Sequence, residues 1–188
     1  MIKVMIVGHS YLEKENRKNL DALSNLVDLK VISPSSSNGM IFNYKVKDKR
    51  IIGNKWEVLL FNKIKFPLLS PAIYFINSID LGLREFKPNV IHIESDPFTP
   101  IFIQTLLSAK LFARNAKIVC TIKQNTFTKR NIFVDSLKRK LTIFFSKYIS
   151  QFITINNGVE EVYIREFLQK NTKFNRNTHL GVDVNLFN

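Results

Sequence analysis

Cysteine, glycine and proline are scarce in this chain of 188 residues, and each scarcity excludes a class of protein. A single cysteine rules out a disulfide framework, and no Cys/His pair stands at the spacing of a zinc site. Six glycines and six prolines, beside a hydrophobic fraction of 45%, exclude a disordered or fibrous chain. Cys120 lies in the apolar run Ile118-Val119-Cys120, so we expect a small core residue in a reducing compartment.

Long apolar segments and acidic residues are also few. The longest uncharged stretches, Phe66–Ile79 and Pro97–Ala109, fall short of the roughly 18 residues that a membrane-spanning helix needs. We interpret the start of the chain as a first strand and not as a signal peptide. With 28 basic and 15 acidic residues, the net charge of +13 favours an anionic partner such as phosphate groups, acidic lipid or nucleic acid. The alternative is an AT-rich genome in which lysine is simply the common surface residue.

What remains is a regular alternation of strand and helix patterns, which predicts an α/β fold. The patterns predict helices over Glu13–Leu26, Pro71–Phe86, Pro97–Ala113, Ile132–Ile149 and Val159–Gln169. They predict strands over Ile2–Val7, Val27–Ser33, Ile41–Val46, Trp56–Phe61, Val90–Glu94, Lys117–Ile122, Phe152–Asn156 and Phe174–His179. Such alternation makes a Rossmann-like, mostly parallel sheet with helices on both faces, and the length suits one domain, residues 1–188.

Polar residues follow three of these strands. In chain order they are Gly8, His9, Ser10 and Tyr11, then Glu94 and Asp96, then Lys123, Gln124 and Asn125. Because the carboxyl ends of parallel strands share one edge of the sheet, we expect the three loops to converge on one cleft.

Each of these residues also has a structural interpretation. Gly8 lets the backbone approach a bound group or simply makes a tight turn, and no G-x-G-x-x-G dinucleotide fingerprint surrounds it. Glu94 can accept hydrogen bonds from sugar hydroxyls or act as a general base. For Asp96, capping a helix that begins at Pro97 is the favoured interpretation. His92 alternates with isoleucines and is expected to be a packed histidine with a satisfied ring.

A basic cluster marks the helix predicted over Ile132–Ile149. We expect one apolar face to pack on the sheet, formed by Phe133, Leu137, Leu141, Phe144 and Tyr148. The other residues of interest would project elsewhere and are candidates for an anionic membrane surface: Lys138, Arg139, Lys140 and Ile143. An ordinary solvated face is the competing interpretation.

Several segments resemble family 4 glycosyltransferases in order and spacing. Pro88-Asn89-Val90-Ile91-His92-Ile93-Glu94 resembles their P-D/N-V-I-H-x-H/E strand, and Thr121-Ile122-Lys123-Gln124-Asn125 is similar to a T-W-Q-N loop found in some members. Near the end, Gly181, Val182 and Asp183 begin a segment that resembles the G-V-D-x-x-x-F signature where the first domain of the family meets the second.

The resemblance implies one half of a GT-B fold, the N-terminal acceptor-binding domain. The other half would bind a nucleotide-sugar donor through an E-x7-E element, so the donor-binding domain or subunit is an implied partner, joined to this chain near Gly181. The resemblance further implies a glycan or lipid-linked acceptor, no cofactor or metal in this chain, and a cytoplasmic location that includes the inner face of the membrane. Without its donor half, the 188-residue chain is expected to be inactive.

Two departures from the family pattern leave the catalytic residues unknown. Glu94 replaces the second histidine of H-x-H, and Lys123 or Gln124 replaces the histidine of the T-x-H loop. A non-catalytic, membrane-docking subunit that pairs with a separate donor domain is an alternative function. A basic nucleic-acid-binding protein is another, although no RRM, KH or helix-turn-helix signature appears and no specific nucleic acid is expected.

Overall fold

The computed structural model describes residues 1–38, 43–65, 74–122, 132–154, 156–166 and 174–176. Its strands are β1 (Lys3–Val7), β2 (Asp28–Pro34), β3 (Ser36–Asn38), β4 (Asn43–Lys45), β5 (Arg50–Ile52), β6 (Trp56–Phe61), β7 (Lys63–Lys65), β8 (Tyr74–Ile76), β9 (Val90–Ile93), β10 (Lys117–Ile122), β11 (Gln151–Thr154) and β12 (Phe174–Arg176). Its α-helices are α1 (Lys18–Ser24), α2 (Ile79–Phe86), α3 (Pro100–Phe112), α4 (Ile132–Ser146) and α5 (Asn157–Glu166).

Eight of the strands form one sheet in the order β12-β11-β10-β9-β1-β2-β6-β5. Every neighbouring pair is parallel except β5 and β6, which form an antiparallel hairpin at the edge. From β1 the chain moves outward to β2 and β6, then returns to the other side of β1 at β9 and continues outward to β12. This is the doubly wound order of Rossmann-like folds, so the predicted fold class is confirmed.

Helices cover both faces of the sheet, and the alternation of strand residues decides which side chain meets which helix. Ile6 lies beside Val31 and His92 in the ladder, so these three face the side covered by α1. Met5 and Ile91 point the other way, into the larger core beneath α2, α3, α4 and α5. The loops after β1 and β9 therefore contribute side chains to the layers on both faces of the sheet.

The α1 side is tied together by Trp56, the single tryptophan of the chain. Its indole Nε1 donates a hydrogen bond to Asp21 Oδ1 at 2.6 Å, which links β6 to α1. Gly53 lies directly against this ring, because a Cβ placed on Gly53 would be 2.0 Å from Trp56 Cε2. A side chain at position 53 would therefore displace the indole.

The predicted helix over Pro71–Phe86 is wrong in its first part among the described residues. Tyr74–Ile76 is strand β8, which pairs with β7, and the helix begins only at Ile79. The side-chain amide of Gln104 in α3 explains the difference, since it accepts from Ile76 N at 2.9 Å and donates to Ile76 O at 2.5 Å. Ser78, at a left-handed φ of 60°, then separates the strand from the helix.

The predicted start of the first helix also differs. The segment before Lys18 forms 3-10 turns over Ser10–Leu12 and Glu15–Arg17, and regular α-helix is limited to Lys18–Ser24. The early turn places Tyr11 over the end of β1, where it is 7% exposed.

The apolar face predicted for α4 is confirmed only in part. Leu141 and Tyr148 pack against the larger core, but Phe133, Leu137 and Phe144 are 86%, 58% and 52% exposed. Thr142 and Phe145, which the prediction did not include, are buried. Apolar side chains occur all round α4, so periodicity alone allows two packing faces, and the contact between Phe145 and Phe102 of α3 selects the other one. None of the helices that the structure describes has both the length and the apolar character for crossing a membrane.

Candidate functional site

The loops after β1 and β9 leave the sheet side by side at its topological switch point. Gly8 N donates to Ile32 O at 3.0 Å, and Glu94 N donates to Val7 O at 2.9 Å, so both loops are anchored in the last rungs of the ladder. Open α/β sheets usually bind ligands at this position, outside the carboxyl ends of diverging parallel strands, and we refer to the position as the crevice. The structure thus brings Gly8 and Glu94 together, as the sequence predicted.

The carboxylate of Glu94 is the centre of this crevice. Its Oε1 accepts a hydrogen bond from the Tyr11 hydroxyl at 2.5 Å, and its Oε2 accepts one from Ser10 Oγ at 3.4 Å. Burial, and then the charge and hydrogen bond of Glu94, raise the pKa of Tyr11 well above its ordinary value. Tyr11 is therefore a protonated donor at neutral pH that fixes the orientation of the carboxylate.

Gly8 allows these groups to lie close to the backbone. A Cβ added to Gly8 would be 3.0 Å from Tyr11 Cε2 and 3.1 Å from Glu94 Oε2, both shorter than ordinary contacts. Gly8 has no positive φ, so the requirement for glycine comes from this close approach and not from backbone conformation.

Gly8→Ala is expected to lower the free energy of unfolding by about 1–3 kcal/mol, because its methyl group must displace Tyr11 or Glu94. Gly158→Ala is a matched control, since a Cβ there meets only Asn156 Oδ1 at 3.3 Å in the first turn of α5. Urea unfolding of both variants gives the comparison, and equal midpoints would contradict the tight packing around Gly8.

Asp96 faces the opposite side of the sheet from Glu94. Its Oδ1 accepts a hydrogen bond at 2.5 Å from the hydroxyl of Tyr163, a residue of α5 that is fully buried in the larger core. Burial and the charge of Asp96 raise the pKa of Tyr163, and the same two causes raise the pKa of Cys120. The two carboxylates therefore do not converge on one ligand, and that of Asp96 holds α5 against the loop after β9.

The predicted helix cap at Asp96 is wrong. The helix begins at Pro100, and Thr99 is the N-cap, with its Oγ1 accepting from Phe102 N at 3.4 Å. The Asp96 carbonyl instead accepts from Thr99 N at 3.0 Å and from Thr99 Oγ1 at 2.7 Å, which makes a turn before the helix.

The other predicted site residues divide into two groups. His9 is exposed beside the crevice, and His92 shares a 2.6 Å hydrogen bond with Thr121 Oγ1, which confirms the expected satisfied histidine. Lys123, Gln124 and Asn125, and also Gly181, Val182 and Asp183, lie outside the described residues. Their predicted roles stay predictions.

Two features were not assigned from the sequence. Tyr11 stands in the polar loop predicted after the first strand, but its role as the hydrogen-bond donor to Glu94 was not assigned. A separate cleft of about 510 Å³ lies between α2 and the β5–β6 hairpin, with Lys47, Lys49 and Arg50 on its wall. No sequence pattern indicated this cleft, because it forms between segments that are distant along the chain.

Within the described ranges, no group of three or more His, Cys, Asp or Glu side chains is arranged to hold a metal ion. Comparison with known proteins adds no family: no protein-family model matches the chain, and the search of curated proteins finds no match. The functional conclusion therefore depends on the crevice at Glu94 and on the motifs of the sequence.

Proposed function

We propose that this chain is the acceptor-binding domain of a nucleotide-sugar-dependent glycosyltransferase of the GT-B type. The observation that carries the proposal is the oriented carboxylate of Glu94, which accepts from Tyr11 and Ser10 beside Gly8 at the switch point of the sheet. The motifs that resemble family 4 enzymes include Glu94 itself. The acceptor is proposed to be a cell-surface glycan or a lipid-linked sugar.

The chemistry of the crevice suits a sugar hydroxyl. The 3.4 Å hydrogen bond from Ser10 is at the long limit, so a sugar hydroxyl can take its place on Glu94 at low cost. Tyr11 keeps the carboxylate in position during that exchange, and Gly8 leaves room for both side chains against the backbone. A carboxylate in contact with the acceptor hydroxyl can also take its proton as a general base.

The donor half of the proposed enzyme is not assigned to any residue described here. In a two-domain cleft, closure around the donor excludes the water that would otherwise hydrolyse it. We therefore expect the 188-residue chain alone to show no sugar transfer. The reading frame beyond Asn188 distinguishes an enzyme from a non-catalytic subunit. For the enzyme, a donor domain with the E-x7-E element is expected in the same frame. For the subunit, that domain is expected in a neighbouring frame.

Acceptor binding is tested by titrating the ¹⁵N-labelled chain with a panel of glycosides and short-chain lipid-linked sugars. A bound acceptor is expected to shift the backbone amides of residues 8–11 and 94–95. Glu94→Gln should weaken that binding about tenfold or more, because hydrogen bonds to a charged group contribute about 1.5–3 kcal/mol. Glu57→Gln is the matched control, since Glu57 pairs with Lys30 and Arg50 across β2, β5 and β6.

Three results would count against the proposal. The first is that no member of the panel binds, and the second is that shifts occur only around the cleft at Lys47. The third is an equal loss of affinity in Glu94→Gln and Glu57→Gln. Sugar transfer by the isolated chain would contradict the proposal that a second domain binds the donor.

A further inference from the structure

The cleft of about 510 Å³ between α2 and the β5–β6 hairpin lies on the other side of β1 from the crevice. We call the space lined by residues 35, 46–50, 59–62, 77–78, 81–82 and 85 the α2 cleft. Its volume is within the range of small-molecule sites. Backbone hydrogen bonds join the loops at one end, from Ser35 N to Phe61 O at 2.7 Å and from Asn77 N to Asn62 O at 3.2 Å. This end, at the carboxyl ends of β2 and β6, is therefore held in place by the fold itself.

The floor of the α2 cleft is apolar. Leu59 and Phe61 of β6 face α2 and are only partly buried. Leu81, on the helix, is 48% exposed and lines the same space. Gly82 lets the helix lie close to the sheet, because a Cβ there would be 2.9 Å from Ile32 Cδ1. The cleft thus offers a flat apolar group one aromatic and two aliphatic side chains to pack against.

Cations line the same cleft near the carboxyl end of β6. The segment from Lys47 to Arg50 carries three cations and one carboxylate, and Arg50 pairs with Glu57 at 3.3 Å. Lys47 and Lys49 are exposed, and neither ammonium group has an ion pair or hydrogen bond within the part of the chain that the structure describes. Lys49 O accepts from Leu60 N at 2.9 Å, which places this segment beside the end of β6. Two cations are therefore available to an anion in the cleft.

Charge is unevenly distributed along the α2 cleft. Glu85 lies at the far end, because α2 begins after Ser78 beside the Asn62 loop, and seven residues of helix span about 10 Å. Asp48 is the single carboxylate of the lining near the lysines, which outnumber it. The dipole of α2 also has its positive end here. An anionic group is therefore favoured at the lysine end and disfavoured at the Glu85 end.

We infer that the α2 cleft binds a small phosphate monoester with a flat, apolar body. The phosphate would lie between the ammonium groups of Lys47 and Lys49, which together match the roughly two charges of a phosphate monoester near neutral pH. The ring would pack on Leu59, Phe61 and Leu81. A neutral ligand would leave both cations without a partner, and a carboxylate would neutralise only one. Nucleotides and other aromatic phosphates share this chemistry, and the inference is independent of the proposed acceptor site.

Titration of the ¹⁵N-labelled full chain with 1-naphthyl phosphate tests the inference. Saturable binding is expected with a dissociation constant of about 0.1 mM, and the backbone amides of residues 46–50, 59–62 and 77–82 should shift. Inorganic phosphate should bind about tenfold more weakly or less, because it makes no apolar contact. AMP and UMP distinguish the two sources of the ligand. Tighter binding of either nucleotide than of 1-naphthyl phosphate would assign the cleft to nucleotides, and weaker binding of both would assign it to other aromatic phosphates.

Substitutions separate the charged and the apolar contacts. Lys47→Gln/Lys49→Gln should weaken the binding of 1-naphthyl phosphate about tenfold or more, because the phosphate would lose both charged donors. Leu81→Ala should weaken it about threefold and leave the binding of inorganic phosphate unchanged, because only the ring would contact this side chain. All three side chains are exposed, so thermal melting of the variants should remain cooperative. Arg139→Gln/Lys140→Gln is the matched control, which removes the same charge from exposed positions of α4 and should change the affinity by no more than about twofold.

Four results would overturn the inference. The first is that 1-naphthyl phosphate does not bind, and the second is that inorganic phosphate binds equally tightly. The third is an equal loss of affinity in the Arg139/Lys140 control and the Lys47/Lys49 variant. The fourth is that the amide shifts occur at residues 8–11 and 94–95 and not around the α2 cleft. Because the sugar panel is expected to shift those crevice residues, failure of the acceptor site and failure of the α2 cleft are separate results.

Discussion

The free energy of unfolding is expected to fall ever more steeply above about pH 9, reaching a loss of about 4 kcal/mol for each pH unit near pH 11. Three buried acids cause this fall, because burial raises the pKa values of Tyr11, Cys120 and Tyr163 in the folded chain. The unfolded chain ionises at ordinary pKa values, about 8.5 for cysteine and about 10 for tyrosine, while the folded chain keeps its protons. The folded state then holds more protons than the unfolded state, so stability is intact below these values and declines as pH rises.

Urea unfolding followed by far-UV circular dichroism, from about pH 8 to about pH 11, measures this slope. Each proton contributes about 1.4 kcal/mol per pH unit, so Tyr11→Phe and Tyr163→Phe should each remove roughly one third of the slope. A slope that neither substitution changes would show that the two phenols are not the groups that titrate on unfolding.

Asp96→Ala is expected to lower the free energy of unfolding by about 3 kcal/mol at neutral pH. The substitution removes the acceptor of the Tyr163 hydroxyl, which is fully buried, and releases α5 from the loop after β9. Tyr163→Phe should cost about 2 kcal/mol, because it removes the same hydrogen bond but keeps the ring in the core.

The two substitutions are expected to be non-additive. The double variant should be only slightly less stable than Asp96→Ala alone, since both remove one interaction, and the coupling is about 1.5–3 kcal/mol. Asp48→Ala, at an exposed carboxylate, is the control and should leave the midpoint nearly unchanged. Full additivity of the Asp96 and Tyr163 effects would mean that the hydrogen bond contributes nothing to stability.

The parallel strands were predictable because strands covered on both faces are continuous apolar runs. Lys117–Ile122 is β10 with the predicted bounds, and Val90–Ile93 differs from its prediction by one residue. The errors occur where a distant side chain decides the outcome. Gln104 satisfies the backbone of Ile76 and keeps β8 extended, and no local pattern of the sequence contains that contact.

The candidate site was also predictable only in part. That Gly8 and Glu94 meet follows from parallel topology, because the ends of neighbouring strands share an edge. The sequence could not predict that Glu94 and Asp96 lie on opposite sides of the sheet. Residues two positions apart share a face only inside a strand, and β9 ends at Ile93. Beyond Ile93 the loop turns, and the Asp96 carboxylate lies in the opposite layer, where it accepts a hydrogen bond from the Tyr163 hydroxyl.

The position of Trp56 gives the chain an optical reporter of one region only. As the sole indole, bonded to Asp21 and lying on the Gly53 turn, it senses the α1 layer and the β5–β6 edge of the sheet. Its emission can therefore follow the opening of that layer separately from the loss of far-UV ellipticity, to which the helices on the other face contribute most. A difference between the two signals would show that the halves of this doubly wound sheet come apart in sequence and not together.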